Sequence, residues 1–412
     1  MSFLGAARAA LVGRKCLVRS LEIGSDIRSE IGSEIGSSAV AGIALIGVAL
    51  LAAFLPSCGG GKKPPVFGQK QNAYVTLPSQ GSVLLMQINS LTGAITTAAT
   101  TPEVVGTSPN GLALLNKFLY VGNSQANTIS LFNIASDGTL SQNATPTPAG
   151  GSGPHGVVVD PSGKFLLVTN TFTDNISVFS IDSGSGALTP VAGSPFYANS
   201  GPGEVMIAPS GDLVYVTNSG VGTVTGFTFS NSTGLLTSIG PPSYSGAGAS
   251  GMAVDNTGTH LYVANTSAIN NPPTSVGNIS GFNINQTQGA SYGMLSPITG
   301  SPFTATVGSG PTALARSPNN FLFATTPGGT YSVWVFTIAQ SGVLTPTINS
   351  PFSVASGGLF ALLDNSGSFF YIGSPTGIQG YIPDQNTGQP VVITGSPYST
   401  NGTSPGKMVV VP

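Results

Sequence analysis

Residues 154–182, PHGVVVDPSGKFLLVTNTFTDNISVFSID, contain the pattern from which the fold can be predicted. An apolar run, GVVVD, ends at the turn residues Pro-Ser-Gly, and a second run, KFLLVTN, follows directly. A third segment, NISVFSID, alternates apolar and polar residues. Short segments of this kind, separated by turn residues, are typical of antiparallel β-strands. The stretch therefore predicts three consecutive strands.

The middle of this stretch recurs along the chain. Related copies begin at Tyr74, Tyr120, Leu167, Tyr215, Tyr262, Phe323 and Tyr371. The seven copies are spaced by 46, 47, 48, 47, 61 and 48 residues. A period near 47 residues built from strands and turns is the sequence signature of a β-propeller. The sequence therefore predicts an all-β fold, a seven-bladed β-propeller.

The two ends of the repeat region are complementary. Residues 405–412, PGKMVVVP, match the start of the third copy, PHGVVVDP, whereas the first copy starts at Asn72 on a second strand. Pairing Pro405–Val411 beside Asn72–Leu77 would complete a blade and hide two sheet edges. We therefore assign residues 72–412 to the propeller and expect it to be closed by its C-terminal strand.

The segment before the propeller has the marks of an export signal. Ala39–Leu55 is an apolar run of 17 residues, and the following sequence, up to Cys58 and Gly59, resembles the lipobox of bacterial lipoproteins. The resemblance implies cleavage before Cys58 and lipidation of its thiol. We assign residues 1–57 to a signal and leader, and residues 58–71 to a flexible tether. An uncleaved transmembrane anchor is the alternative, since 17 residues is near the lower limit for a span.

The leader is unusually long and carries acids among its bases, so either translation starts inside it or it forms a cytoplasmic tail. In both cases we expect an exported protein, anchored at the cell envelope through its lipid, in the periplasm or at the cell surface. We also expect a monomer.

Charged residues are scarce beyond residue 57. Seven bases and ten acids remain there, 17 charges on 355 residues, whereas roughly 25% is usual for soluble domains. No basic stripe suits nucleic acid, and no acidic cluster suits calcium. We therefore expect no nucleic-acid partner, no metal and no cofactor.

Several recurring polar residues have a structural explanation. The acids of DPSG, DNTG and DNSG, at Asp160, Asp255 and Asp364, could suggest metal, but Asp before Ser/Thr-Gly is typical of turns. The Asn that ends each YVTN-like segment, such as Asn170, is expected to cap a strand. We expect Trp334 to pack between blades and His260 to be exposed.

The GPHGVVVDPSGKFLLVTN phrase and the YVTN repeats resemble the seven-bladed lactonase family, which includes propeller-type 6-phosphogluconolactonase and carboxymuconate cycloisomerase. The resemblance covers roughly residues 72–412. It implies a site with a His, an Arg in the next blade and a Glu later in that blade. Here the His is His155, but the Arg position is Gly203 and the Glu position is Ser219.

Aligning the copies by their turns places seven equivalent residues around the mouth of the central channel. They are Asn110, His155, Gly203, Ser250, Thr312, Leu359 and Gly406. Of these seven, only His155 can ionise. Glu204, one residue further along, is the acid nearest to it in this alignment. A catalytic pair of His155 and Glu204 is conceivable, although adjacent residues of a strand point to opposite faces.

These residues leave three functions open. Opening a lactone creates an oxyanion that needs a cation, and the Arg position is Gly203. We therefore favour a binding or scaffold module at the cell envelope with a degraded catalytic set. We expect the rate of lactone hydrolysis to be indistinguishable from the spontaneous background rate. The first alternative is a sugar-lactone hydrolase that uses His155 with Glu204. The second is a surface-layer-like structural repeat protein.

The fifth copy contains an insertion, Ser267–Asn278, whose Asn-Asn-Pro-Pro core cannot continue a central strand. Because the chain reverses at every strand, this loop should lie on the same face as His155, with the Asp-containing hairpins on the other face. The predicted ligand-binding face comprises Asn110, His155, Ser250, Thr312, Asn270 and Asn271. An uncharged loop suits a neutral glycan, peptide or protein ligand.

Overall fold

Seven antiparallel sheets form the part of the chain that the computed structural model describes, namely residues 70–98, 101–143, 145–266, 277–304, 310–327, 332–354 and 358–412. In each sheet the four principal strands lie side by side in the order innermost, second, third and outermost, counted from the central channel. We number the sheets as blades 1–7 by their second strands. The predicted seven-bladed propeller is confirmed.

Strands at equivalent positions have similar lengths in all blades. The innermost strands of blades 1–7 are Met408–Val410, Pro109–Leu115, Pro154–Val159, Pro202–Ile207, Ala249–Val254, Ala313–Arg316 and Ala361–Leu363. The second strands are Lys70–Leu77, Phe118–Asn123, Phe165–Asn170, Leu213–Asn218, His260–Asn265, Phe321–Thr326 and Phe370–Ser374. The third strands are Ser82–Asn89, Thr128–Ile134, Asn175–Ile181, Thr223–Phe229, Asn278–Ile284, Ser332–Ile338 and Gly377–Pro383.

The periphery consists of shorter strands. The outermost strands are Ile95–Thr97, Leu140–Gln142, Leu188–Pro190, Leu236–Ser238, Leu295–Pro297, Leu344–Pro346 and Pro390–Val392. In blades 1–6 a further short strand pairs with the third strand; these are Glu103–Val104, Thr147–Pro148, Phe196–Tyr197, Ser243–Tyr244, Phe303–Thr304 and Phe352–Ser353. A 3₁₀ turn covers Pro78–Gln80. Within the described ranges, no helix is long and apolar enough to cross a membrane.

The ring closes as the repeat pattern predicts. The C-terminal strand Met408–Val410 pairs antiparallel with the first strand, so that Val410 lies opposite Ala73 and Met408 opposite Val75. The prediction that Pro405–Val411 completes the first blade is confirmed. The first strand begins at Lys70, two residues before the predicted boundary at Asn72. The predicted leader lies outside the described residues.

Apolar side chains fill the spaces between blades. Seven core clusters each span one pair of adjacent blades, including blades 7 and 1. In five blades a buried tyrosine of the second strand also donates its hydroxyl to a glycine carbonyl in the next blade. The tyrosine–glycine pairs are Tyr74–Gly138, Tyr120–Gly186, Tyr215–Gly293, Tyr262–Gly342 and Tyr371–Gly93. These bonds connect neighbouring blades directly.

The turn explanation for the repeated acids is confirmed. Oδ1 of Asp160 accepts hydrogen bonds from the backbone N–H groups of Lys164 and Phe165, at 2.8 and 2.7 Å. Its other oxygen accepts from the N–H of Ser162 at 2.9 Å. Asp255 and Asp364 make corresponding bonds to their own turns. The carboxylates therefore stabilise hairpins.

The remaining polar residues behave as expected, with one exception. Nδ2 of Asn170 donates to Asn175 Oδ1 and Ser177 Oγ, and so ties the end of the second strand to the third. Trp334 is buried in the core cluster between blades 5 and 6, as predicted. The prediction for His260 is wrong, because this residue is only 8% exposed and its Nδ1 lies 2.9 Å from Asp255 Oδ2.

Candidate functional site

The antiparallel order of the strands gives the propeller two distinct faces. On the hairpin face, the innermost strands of blades 2–7 turn back into the second strands. On the opposite face, here called the loop face, the second strand connects to the third and the chain enters the next innermost strand. Pro154 lies opposite Asn170 in blade 3, so His155 lies at the loop-face end of its strand.

A cavity of about 230 Å³ occupies the central channel at this end. All seven innermost strands contribute to its wall. The lining includes one set of residues at equivalent positions: Gly111, Gly156, Glu204, Gly251, Ala313, Phe360 and Lys407. Five of these seven carry no polar side chain, so Glu204 and Lys407 are the two charged residues of this set. His155 also lines the cavity.

An ion pair spans the channel. Nζ of Lys407, on the segment that closes blade 1, donates to Oε1 of Glu204 in blade 4. Blades 1 and 4 lie three positions apart in a ring of seven, so the two side chains meet from nearly opposite walls. They remain 29% and 27% exposed, and are therefore accessible to a small ligand in the cavity.

The charges in the cavity shift the protonation of its groups. Burial would by itself raise the pKa of Glu204, but the positive charge of Lys407, with a smaller contribution from His155, holds this pKa below its ordinary value. The carboxylate is therefore ionised at neutral pH.

Burial, aided by the charge of Lys407, lowers the pKa of His155, although the Glu204 carboxylate and the Gly203 carbonyl oppose the shift. His155 is therefore neutral at pH 7. Its Nδ1 is buried and has no hydrogen-bond partner among the described residues. Because Nδ1 is enclosed by protein atoms, a water or substrate bound in the cavity would have to deliver its proton to the other ring nitrogen, Nε2.

The structure brings together some of the predicted site residues and separates others. Of the seven ring residues from the alignment, His155 is the one that lines the cavity. The hydroxyl of Ser250 donates to the carbonyl of Thr312 at 2.8 Å, and the hydroxyl of Thr312 donates to that of Gly358 at 3.0 Å. These two side chains connect adjacent blades, and Asn110 does not reach the cavity.

Other predicted positions lie outside the described residues. These are Cys58, Asn270 and Asn271. Thr266, the residue before the insertion, is described, and its backbone N–H donates to the carbonyl of Gly248, beside the innermost strand of blade 5. Both residues belong to the loop face, which also carries His155.

The two positions where the family pattern is broken supply no charge. Gly203 offers only its backbone, whose carbonyl accepts the hydroxyl of Thr169 in the previous blade at 2.5 Å. The hydroxyl of Ser219 donates to the carbonyl of Gly201 at 3.0 Å. The cation that these positions lack is supplied by Lys407 instead.

Sequence reasoning missed Lys407, although the repeat contains a signal for it. Glu204 follows Pro202 and Gly203, and Lys407 follows Pro405 and Gly406 in the same way. The two charged residues therefore occupy equivalent positions in their blades, one residue beyond the ring that the alignment selected. The blade after that of His155 supplies no cation at Gly203, as the sequence indicates, but Lys407 brings one into the channel from blade 1.

Comparison with known proteins identifies the relatives of this chain. The family described as "Lactonase, 7-bladed beta-propeller" matches residues 59–196 and 190–290, together more than half of the 412 residues. A 6-phosphogluconolactonase of Formosa agariphila is 37% identical over 83 residues, and one of Pectobacterium carotovorum is 31% identical over 85. These alignments cover 20% and 21% of this chain, and only 22% and 24% of the two relatives.

Solved structures share the fold over most of their length. A Bacteroides fragilis protein, solved as a candidate 6-phosphogluconolactonase, is 20% identical with a TM-score of 0.69, over 85% of this chain and 100% of that one. The periplasmic gluconolactonase of Pseudomonas aeruginosa is 16% identical with a TM-score of 0.67, over 84% and 99%. At such identities the likeness extends to the fold alone.

Proposed function

Because this chain belongs to the family of seven-bladed lactonase propellers, we propose that it is a lactonase that hydrolyses a sugar lactone in its central channel. The observation that carries this proposal is the meeting of His155, Glu204 and Lys407 in one cavity. Ester hydrolysis needs a base to activate water and a positive charge for the oxyanion, and these three residues can supply both.

In the proposed reaction, neutral His155 accepts a proton from a water molecule as the water oxygen attacks the carbonyl carbon of the lactone. The carbonyl oxygen becomes negatively charged, and the ammonium group of Lys407 stabilises it. Glu204 positions Lys407 through their ion pair and stabilises the imidazolium that forms on His155.

The tetrahedral intermediate then collapses and the bond between the carbonyl carbon and the ring oxygen breaks. The imidazolium of His155 returns its proton to the departing ring oxygen, which becomes a hydroxyl group. One lactone and one water thus yield one hydroxy acid, and His155 is neutral again for the next turnover.

The scaffold interpretation favoured by the sequence rested on the loss of the family's cation and carboxylate at Gly203 and Ser219. Lys407 and Glu204 offer another cation and carboxylate, since both line the same cavity as His155. The relatives named as 6-phosphogluconolactonases also favour hydrolysis over a scaffold role. We therefore place the lactonase first.

The test is hydrolysis of glucono-1,5-lactone by the purified propeller, measured above the spontaneous rate. Lys407→Met keeps the length of the side chain and removes its charge, and should lower kcat by roughly 10²–10³. Lys164→Met is the matched control, since Lys164 lies in a hairpin on the other face and the variant should retain full activity.

His155→Ala should lose activity to a similar extent as Lys407→Met while keeping the melting temperature of a folded propeller. A rate of hydrolysis with the wild-type protein that does not exceed the spontaneous rate would refute the lactonase proposal. Wild-type activity in Lys407→Met would refute its mechanism.

We also propose that the mature protein begins at Cys58 and is anchored in the cell envelope by lipid on that thiol. The lipobox-like sequence and the apolar run before it support this location. Lipid anchoring would hold the propeller at a membrane surface through the Gly- and Pro-rich tether.

A further inference from the structure

We propose that the channel selects a neutral, unphosphorylated lactone, although the relatives that match this chain are named for a phosphorylated one. This inference rests on the proposed function and deepens it. It follows from two observations: Lys407 is the lysine that lines the cavity, and its ammonium group is already paired with Glu204.

The bases of the propeller are divided unequally between its faces. Among the described residues, Lys117 and Lys164 lie in the first hairpins of blades 2 and 3, and Arg316 ends the innermost strand of blade 6. Lys70 starts the second strand of blade 1, at the same end. All four therefore belong to the hairpin face, and among the described residues Lys407 is the one lysine or arginine on the loop face.

The acidic residues of the loop face outnumber this single lysine. Besides Glu204, Glu103 lies in the short peripheral strand that pairs with the start of the third strand of blade 1. Asp174 lies in the connection between the second and third strands of blade 3, where it accepts the N–H of Gly201 at 2.8 Å. On the described part of this face, three carboxylates thus accompany one ammonium group.

Lys407 is already paired with the carboxylate of Glu204. A phosphate group carries nearly two negative charges, and proteins usually bind it with Arg side chains or several aligned donors. In this cavity a phosphate would have to displace Glu204 from Lys407 and remain beside the displaced carboxylate. A neutral lactone needs only a hydrogen bond from the ammonium group to its carbonyl oxygen, which leaves the ion pair in place.

The size of the cavity is consistent with a small ligand. Its volume of about 230 Å³ is below the roughly 300–1,000 Å³ of sites for drug-sized molecules. The wall positions equivalent to Glu204 are Gly, Ala or Phe in five blades, so the lining adds few polar partners for a second charged group. These features fit a single sugar ring.

The first experiment compares kcat/KM for glucono-1,5-lactone and its 6-phosphate. We expect the neutral lactone to be favoured at least tenfold. Preference for the phosphorylated lactone would overturn this inference and leave the proposed lactonase function intact. Failure to hydrolyse either compound would refute the proposed function, and the binding experiment would then decide the inference.

The binding experiment uses 1,5-anhydroglucitol and its 6-phosphate, which lack the reactive ester, in calorimetric titrations. The wild-type protein should bind the neutral compound more tightly. Glu204→Gln removes the carboxylate that pairs with Lys407. The ratio of the two dissociation constants, phosphate to neutral compound, should then fall by roughly tenfold, because one nearby negative charge is lost. Asp182→Asn, in an exposed turn of the hairpin face, is the matched control and should leave the difference unchanged.

Tighter binding of the phosphate by the wild-type protein would overturn the inference, as would an unchanged preference in Glu204→Gln. A shift of equal size in Asp182→Asn would also contradict it, because net charge rather than the channel pair would then be responsible.

Discussion

The hydrogen bond from Tyr371 to blade 1 should contribute measurably to the stability of the closed ring. The Tyr371 hydroxyl in blade 7 donates to the carbonyl of Gly93 in blade 1 at 2.8 Å, and both residues are buried. Blade 1 is the blade whose strands come from both ends of the repeat region, so its attachment depends on non-covalent contacts. Tyr371→Phe removes the hydroxyl and keeps the ring in the core.

The expected cost can be worked out from this one contact. Losing the hydrogen bond and leaving the buried Gly93 carbonyl unpaired should cost about 1–3 kcal/mol. With an unfolding entropy of about 2.1 cal/mol/K per residue, the propeller of residues 70–412 would have about 0.7 kcal/mol/K in total. The melting temperature should therefore fall by about 1.5–4 °C.

Calorimetry and hydrogen exchange together test this expectation. Tyr215→Phe is the matched control, because it removes the equivalent 2.7 Å bond to Gly293 between blades 4 and 5. Both variants should melt earlier, but only Tyr371→Phe should speed exchange of the amides that pair Ala73–Val75 with Met408–Val410. An unchanged melting temperature in Tyr371→Phe would show that this hydrogen bond does not stabilise the propeller. Equal exchange rates of these amides in both variants would show that the bond does not specifically stabilise the ring closure.

Three further predictions concern closure, pH and anchoring. Deleting residues 405–412 should expose two sheet edges and promote aggregation, and a monomer with an unchanged melting temperature would contradict the closure. The pKa of His155 is lowered by burial, so the decline of kcat/KM on acidification should have its midpoint below the ordinary histidine value of about 6.5. A decline complete above pH 7 would exclude His155 as the base. Cys58→Ser should abolish labelling by a fatty-acid analogue and leave the leader attached, whereas an unmodified Cys58 in an intact wild-type chain would favour a transmembrane anchor.

The architecture could be predicted from the repeat pattern, because each blade is a local unit with its own strands and turns. The period near 47 residues set the number of blades, and the matching of residues 405–412 to the start of blade 3 predicted how the ring closes. The Asp-containing turns were also predictable, since Asp160 binds N–H groups no more than five residues away. Interactions of this range are encoded in neighbouring residues.

The composition of the channel was decided by the tertiary structure. Glu204 and Lys407 are 203 residues apart in sequence, and only the closed ring brings them together across the channel. An alignment by turns identified equivalent residues, but the orientation of the innermost strands selected the position one residue further along for the cavity wall. His260 was misjudged for the same reason, because its ring is buried against Gly342 of the neighbouring blade. Packing between blades depends on strand orientation and on contacts between distant segments, which the repeat pattern does not record.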